Sequence, residues 1–226
     1  MTTTKKKRNR YLKAMEVDVW TPRPVGASSL VEEDRASGIA HMGWKELETA
    51  VAKCTACPLH KSRTQTVFGI GNRKADLLVV GEAPGANEDK QGEPFVGRAG
   101  KLLNSMLQAI NLSREQIYIA NVLKSRPPNN RDPSPEEVAA CIPFLWRQIE
   151  LIKPKLILAV GRIAARYLLN TDESMGALRG REFTYGPAKT PLIITYHPAY
   201  LLRAPNEKRK AWEDLKRVAK FIGQLK

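Results

Sequence analysis

A three-layer α/β/α sandwich with a mostly parallel four-stranded sheet is the fold class this sequence predicts. Two observations carry that prediction. Short apolar runs bounded by turn residues alternate with amphipathic helical patterns from residue 44 onward. The chain also has 226 residues, 42% of them hydrophobic, which suits one sizeable core with a tail rather than two full domains.

Residues 1–43 stand apart from the rest. They hold a basic cluster from Lys5 to Arg10, a Pro/Gly/Ser stretch over 21–29 and the acidic patch Glu32-Glu33-Asp34. No sustained period covers this segment, so a mostly disordered extension is expected there. Its apolar island, Tyr11–Trp20, reads either as a peptide that docks on a protein partner or as one that packs on the chain's own core. The folded domain is expected over 44–226.

Four runs in that domain read as buried parallel strands: Leu77–Val80, Ile117–Val122, Leu156–Val160 and Leu192–Tyr196. Each is continuously apolar because helices cover both faces of such a sheet. Between the first two, Ala99, Leu102, Leu103, Met106, Leu107 and Ile110 recur at the spacing of one helix face. Ser134-Pro135-Glu136-Glu137 is a capping box with proline at the first helical position. Val138, Ile142, Leu145, Ile149 and Ile152 then mark a buried stripe. Ala164, Tyr167 and Leu168 indicate a short helix, and Ala211, Leu215, Val218 and Ile222 a last one near 207–224.

The net charge is +14, which suits a polyanionic partner. Residues 1–43 contribute +3 and residues 44–226 contribute +11, so the basicity belongs to the folded body and favours a binding surface. No run of about 18 apolar residues occurs, so no membrane span is expected. The basic N-terminus lacks the apolar segment of a secretory signal, and 3 cysteines do not make a disulfide framework. A monomeric, cytoplasmic protein is the expectation.

Ligands of open α/β sheets bind beyond the carboxyl ends of the strands. Four segments arrive there: Gly81-Glu82-Ala83-Pro84-Gly85 with Glu88 and Phe95, Asn121 to Arg126, Gly161-Arg162, and His197 to Arg203. Gly100-Lys101 is no phosphate loop, because Leu102 stands where Ser or Thr is required. No Gly-x-Ser-x-Gly elbow of a hydrolase triad is present. Taken singly, Asn121 reads as a strand-end turn residue, His197 as a loop histidine and Phe95 as core. Their joint spacing says otherwise.

Gly81-Glu-Ala-Pro-Gly85 with Glu88-Asp89, Pro94-Phe95-Val-Gly97, Asn121 before Lys124-x-Arg126-Pro-Pro, and His197-Pro-Ala-x-Leu-Leu resemble the motifs of family 4 uracil-DNA glycosylases. The resemblance spans about residues 44–222 and implies an enzyme that flips deoxyuridine out of single- or double-stranded DNA and hydrolyses its N-glycosidic bond. It implies Phe95 as a stacking platform, Asn121 as the reader of N3–H and O4, and His197 as the donor to O2. Glu82, Ala83 and Glu88 would shape the pocket, with Glu88 excluding thymine's methyl group. Related families have an Asp where Ala83 stands, so Glu82 or Asn130 is the expected partner of the attacking water. A crosslinking subgroup carries a basic loop with a bond-forming His; Arg126 to Ser134 contains none, so ordinary turnover is expected.

Lys101, Lys124, Arg126, Arg131, Arg162 and Arg203 are the expected phosphate contacts. Leu201 or Leu202 is the expected wedge that fills the gap left by the flipped base, with core packing the other reading.

The same family holds a 4Fe–4S cluster on four cysteines. Here Cys54, Cys57 and Cys141 match, whereas Ser125 stands at the third place. Four thiolates are the normal set. Ser125 as an oxygen ligand, a cluster lacking one iron, an empty site, and zinc held with His60 are the arrangements this donor set allows. An iron–sulfur site with a labile fourth corner is favoured. Two other functions stay open at this stage: a non-catalytic DNA-binding protein on the same fold, and a zinc-dependent nucleic-acid hydrolase.

Overall fold

The apolar runs pair as the alternation predicts. The computed structural model describes residues 27–225. Among them, β1 (Ile70–Gly71), β2 (Leu77–Gly81), β3 (Tyr118–Asn121), β4 (Leu156–Val160), β5 (Phe183–Tyr185) and β6 (Thr190–Thr195) form one sheet in the order β1-β3-β2-β4-β6-β5. The four predicted strands β2, β3, β4 and β6 are parallel, whereas β1 and β5 pair antiparallel at the two edges. The sheet is therefore larger than the expected four strands. At two and three residues, the edge strands are too short to show a period in sequence.

The helices are α1 (Ala27–Ala40), α2 (Trp44–Ala52), α3 (Ala86–Gln91), α4 (Arg98–Gln108), α5 (Pro135–Ile152), α6 (Arg162–Leu169), α7 (Met175–Leu178), α8 (Pro198–Arg203) and α9 (Lys208–Gly223). Helix α1 falls inside the stretch expected to be an extension; the peptide 11–20 lies outside the described residues. Helix α5 starts as its sequence dictates, with Glu137 N donating to Ser134 Oγ and Ser134 N donating to Glu137 Oε2 at 2.9 Å.

Alternate strand residues serve alternate cores, as the two-residue period requires. Leu78, Val80, Ala120, Ile157, Ala159 and Ile194 pack with Leu47, Val51, Val138, Leu145 and Ala164 from α2, α5 and α6. Leu77, Val79, Ile119, Leu156, Leu158 and Ile193 pack with Leu103, Leu107, Leu201, Leu215 and Val218 from α4, α8 and α9. Three layers result. Among the described residues, no helix is long and apolar enough to cross a membrane.

Lys124 corrects an expectation. It is 1% exposed, so it cannot be a phosphate contact. Its Nζ donates to Asn121 O at 2.8 Å and to Gln148 Oε1 at 2.7 Å, while Gln148 Nε2 donates to Phe68 O at 2.9 Å. Burial pushes the ammonium down to about 8. The cation sits beneath the end of β3 because two acceptors replace its water there. Lys124→Met leaves both acceptors buried and unpaired, so it is expected to lower unfolding stability by about 2 kcal/mol, read from the denaturant midpoint.

Candidate active site

Sequence order reverses at β2, which has β3 on one side and β4 on the other. A crevice opens beyond the carboxyl ends of the strands at such a point. Here it is a cavity of about 780 Å³, lined by Glu82, Ala83, Glu88, Phe95, Asn121, Asn130, Arg162 and His197 among others. The β2, β3, β4 and β6 ends each supply one wall.

Asn121 closes β3 and is 2% exposed. Its Oδ1 is buried and has no hydrogen-bond partner among the described residues. Such an acceptor is costly in a finished interior and is explained by a ligand that donates to it. Opposite stands His197, the N-cap of α8, whose Nδ1 accepts from Ala199 N at 3.1 Å. That bond assigns the ring proton to Nε2 when the imidazole is neutral. Burial, reinforced by Arg203, pushes His197 down to about 4 despite the opposing influence of Glu88. The ring is a neutral donor at physiological pH.

Phe95 takes a left-handed backbone, φ 56°, and its ring lies 5.6 Å from that of His197, tilted by 32°. Two glycines make room for this cluster. A Cβ on Gly81 would stand 2.4 Å from Asn121 Oδ1 and 2.7 Å from the Phe95 ring; one on Gly161, already at φ +98°, would stand 2.9 Å from His197 Cβ.

Glu82 is the other perturbed group. Desolvation pushes its carboxyl up to about 7, with Asp132 adding to the rise and Arg162 opposing it. Glu88 faces the same cavity, but its Oε1 also accepts from the amides of Val96 and Gly97, both at 2.9 Å. It anchors the loop that carries Phe95. Asn130 lines the cavity with its Oδ1 accepting from Arg126 Nε at 2.8 Å.

The match to known proteins is specific. The model of the uracil DNA glycosylase superfamily matches residues 68–216, a span that holds every cavity residue named above. The chain belongs to this superfamily. It is 45% identical over 180 residues to a type-4 uracil-DNA glycosylase of Archaeoglobus fulgidus, covering 77% of this chain and 90% of that protein. A type-4 uracil-DNA glycosylase of Thermotoga maritima is 48% identical over 175 residues, 76% of this chain and 91% of that one. A more distant type-5 uracil-DNA glycosylase of Pyrobaculum aerophilum is 27% identical over 169 residues, 66% of this chain and 74% of its own.

The expected DNA contacts of this glycosylase-family chain divide. Lys101, Arg126 and Arg203 keep donors free on the surface or half-buried rim. Arg131 is held by Glu137 at 2.6 and 2.8 Å, and Arg162 by Asp132 at 2.6 Å. Leu201 is 1% exposed and belongs to the core under α8, so only Leu202, 37% exposed, keeps the place of a wedge. Adjacent residues of a helix are turned about 100° from one another, so here one leucine packs into the core while the next faces out.

Several residues near the pocket escaped the sequence motifs. Asp132 and Met175 line the cavity, and Arg114 reaches the Phe95 loop from the turn before β3. Nothing local in sequence marks these three, since each arrives from an element whose placement the sheet decides. Tyr196 and Tyr200, beside His197 in the segment expected at the mouth, also line the cavity, their rings 5.0 Å apart and tilted by 42°.

The cysteines gather at the other end of the β3 loop. Burial pushes the Cys141 thiol up to about 11, the Lys124 cation opposes the rise, and Cys54 and Cys57 add to it. Lys124 N donates to Cys141 Sγ at 3.1 Å. Ser125 Oγ accepts from Arg63 Nη1 at 3.0 Å, and the same guanidinium donates to Cys54 O at 2.8 Å. Among the described residues no three His, Cys, Asp or Glu side chains converge tightly enough for a single metal ion. His60 points its Nδ1 at Cys57 O, 2.7 Å away.

Gly81→Ala pushes a methyl group into the space of Asn121 Oδ1 and the Phe95 ring. Its kcat/KM for excision from a uracil-containing oligonucleotide is expected to fall about 100-fold, with the circular dichroism spectrum unchanged.

Proposed function

We propose that this chain hydrolyses the C1′–N1 bond of a flipped deoxyuridine in DNA, leaving an abasic site and free uracil. The observation that carries the reading is the unpartnered, buried Asn121 Oδ1 facing the same cavity as the neutral His197 Nε2–H. Uracil presents a donor at N3 and acceptors at O4 and O2. Asn121 Oδ1 accepts from N3–H while its amide donates to O4, and cytosine presents the opposite pattern at those two atoms. Phe95 offers a face for stacking. Glu88, which lines the same cavity, excludes the C5 methyl of thymine in this reading.

As the C1′–N1 bond breaks, its electron pair passes to uracil, and negative charge grows on O2. A neutral imidazole donating from Nε2 stabilises that charge without first losing a proton of its own. Water adds to the oxocarbenium-like C1′ and gives up a proton. Glu82, close to the cavity mouth, accepts that proton when ionised, the role left open by Ala83. Asn130 is the weaker partner for the water, since its Oδ1 already serves Arg126. The intact constellation supports catalysis over a purely DNA-binding role. A DNA substrate supports a cytoplasmic location.

Cys54, Cys57 and Cys141 would hold three corners of a 4Fe–4S cluster, with Ser125 at the fourth. The donor set fits at the three thiols: Cys54 and Cys57 lie near enough to raise the Cys141 thiol further, and Cys141 already accepts an amide hydrogen bond, as cluster sulfurs do. The cluster would supply a structural tie between the β3 loop, the Cys54–Cys57 segment and α5.

The discriminating assay is a uracil-containing oligonucleotide followed by alkali. Strand breakage at uracil is expected, and tight binding without breakage would overturn the reading. Asn121→Ala and His197→Ala are each expected to lose about 10²–10³ in kcat. The pH dependence has a definite sign. Glu82 is protonated below about 7 and ionised above it, so kcat is expected to rise with pH through that value, and Glu82→Gln to flatten the profile. With Lys101, Arg126 and Arg203 the three expected contacts not held by a carboxylate among the described residues, the slope of log affinity against log salt is expected near −2 on single strands and −3 on duplex. A slope of −5 would show that Arg131 and Arg162 release their carboxylates to phosphate.

A further inference from the structure

Phe95 holds a backbone conformation that few non-glycine residues occupy, φ 56°. A bulky side chain in the left-handed region persists only where its surroundings determine it. Three groups act on this backbone. Gly100 lies so close that a Cβ there would stand 1.8 Å from Phe95 O. Glu88 Oε1 takes the amides of Val96 and Gly97. The third is Arg114. Its Nη2 donates to Pro94 O at 2.7 Å, and its Nη1 donates to Phe95 O at 3.1 Å and to Asn104 Oδ1 at 3.1 Å.

The Arg114 arrangement goes beyond packing. Pro94 O and Phe95 O belong to successive peptide planes, and the dihedrals of Phe95 set the angle between those planes. One rigid guanidinium joined to both carbonyls therefore restrains φ and ψ of Phe95 together. Asn104, on α4, fixes the guanidinium in turn. Desolvation lowers the Arg114 pKa, with Glu93 and Glu115 opposing, and an arginine so placed stays charged. Its aim at two neutral carbonyls, with no carboxylate within ion-pair distance among the described residues, is unusual for a half-buried cation. The ring that this backbone carries is the one packed over Gly81 and tilted against His197.

We propose that Arg114 is a positioning residue for base recognition: its guanidinium locks the Pro94 and Phe95 carbonyls so that the Phe95 ring is held ready to stack on a flipped base. The proposal rests on the reading of Phe95 as the stacking platform. Lysine is not an equivalent, because a single ammonium on a flexible stem does not fix two peptide planes. A ring free to leave the pose forfeits contact with the base in the ground state and the transition state alike, so the loss belongs chiefly in KM.

The test is a double-mutant cycle on the full chain, with R114M, F95A and the double variant assayed on a uracil-containing single-stranded oligonucleotide. R114M is expected to raise KM about tenfold to 100-fold with a smaller change in kcat, and R114K to fall between wild type and R114M. In the F95A background the same substitution is expected to change KM less than about threefold, because the two residues act through one contact. An equal factor in both backgrounds overturns the proposal. So does a fall in kcat at unchanged KM, the signature of lost folded protein. Wild-type KM in F95A alone overturns the platform reading itself, a separate result. If R114M does not yield folded protein, R114K in the two backgrounds completes the same cycle.

Discussion

The site depends on the absence of a side chain at Gly81. Asn121 Oδ1 and the Phe95 ring occupy the volume that a Cβ on this residue would need. Gly81 ends β2, the central strand of the parallel set, so the amide from β3 and the ring from the loop before α4 meet over it. Gly161 does the same for His197 at the end of β4. Where two adjacent strands end without side chains, groups from three segments crowd into one space and bring an aromatic face and two polar edges to one cavity.

The electrostatics of that space follow from burial. Desolvation disfavours charge on both His197 and Glu82, lowering the first to about 4 and raising the second to about 7. Burial thus gives a neutral imidazole that donates from Nε2 and a carboxyl that titrates near the pH of the cell. The tautomer is set by the α8 backbone, because Ala199 N occupies Nδ1. The same N-cap that begins a six-residue helix therefore decides which ring nitrogen carries the proton.

Beneath the site, Lys124 joins Asn121 to the cysteine corner. Its Nζ holds the Asn121 carbonyl, and its amide serves Cys141 Sγ. The two features of the chain that sequence motifs treat separately, a pocket amide and a cysteine set, share one buried residue. The guanidinium of Arg63 plays a comparable part, joining the Ser125 hydroxyl to the Cys54 carbonyl.

Much of this protein was legible in the sequence, and the limit has a physical reason. The four parallel strands, the α5 capping box and the glycine-bounded strand ends are local or periodic, so they were readable, and the motif order placed Glu82, Phe95, Asn121 and His197 at one mouth. The short edge strands β1 and β5 were not, because a pairing of two or three residues leaves no period. Lys124 and Leu201 were misplaced for a related reason: a basic residue in a motif, or one of two adjacent leucines, does not announce which side of the backbone it takes. Arg114 carries no motif at all. Sequence by itself determined the layer order and the chemical types at the strand ends, since both depend on neighbours along the chain. Only the tertiary structure decided which cations stay free for DNA, which leucine faces out and what holds Phe95 in place, since those depend on carboxylates, carbonyls and walls brought from distant segments.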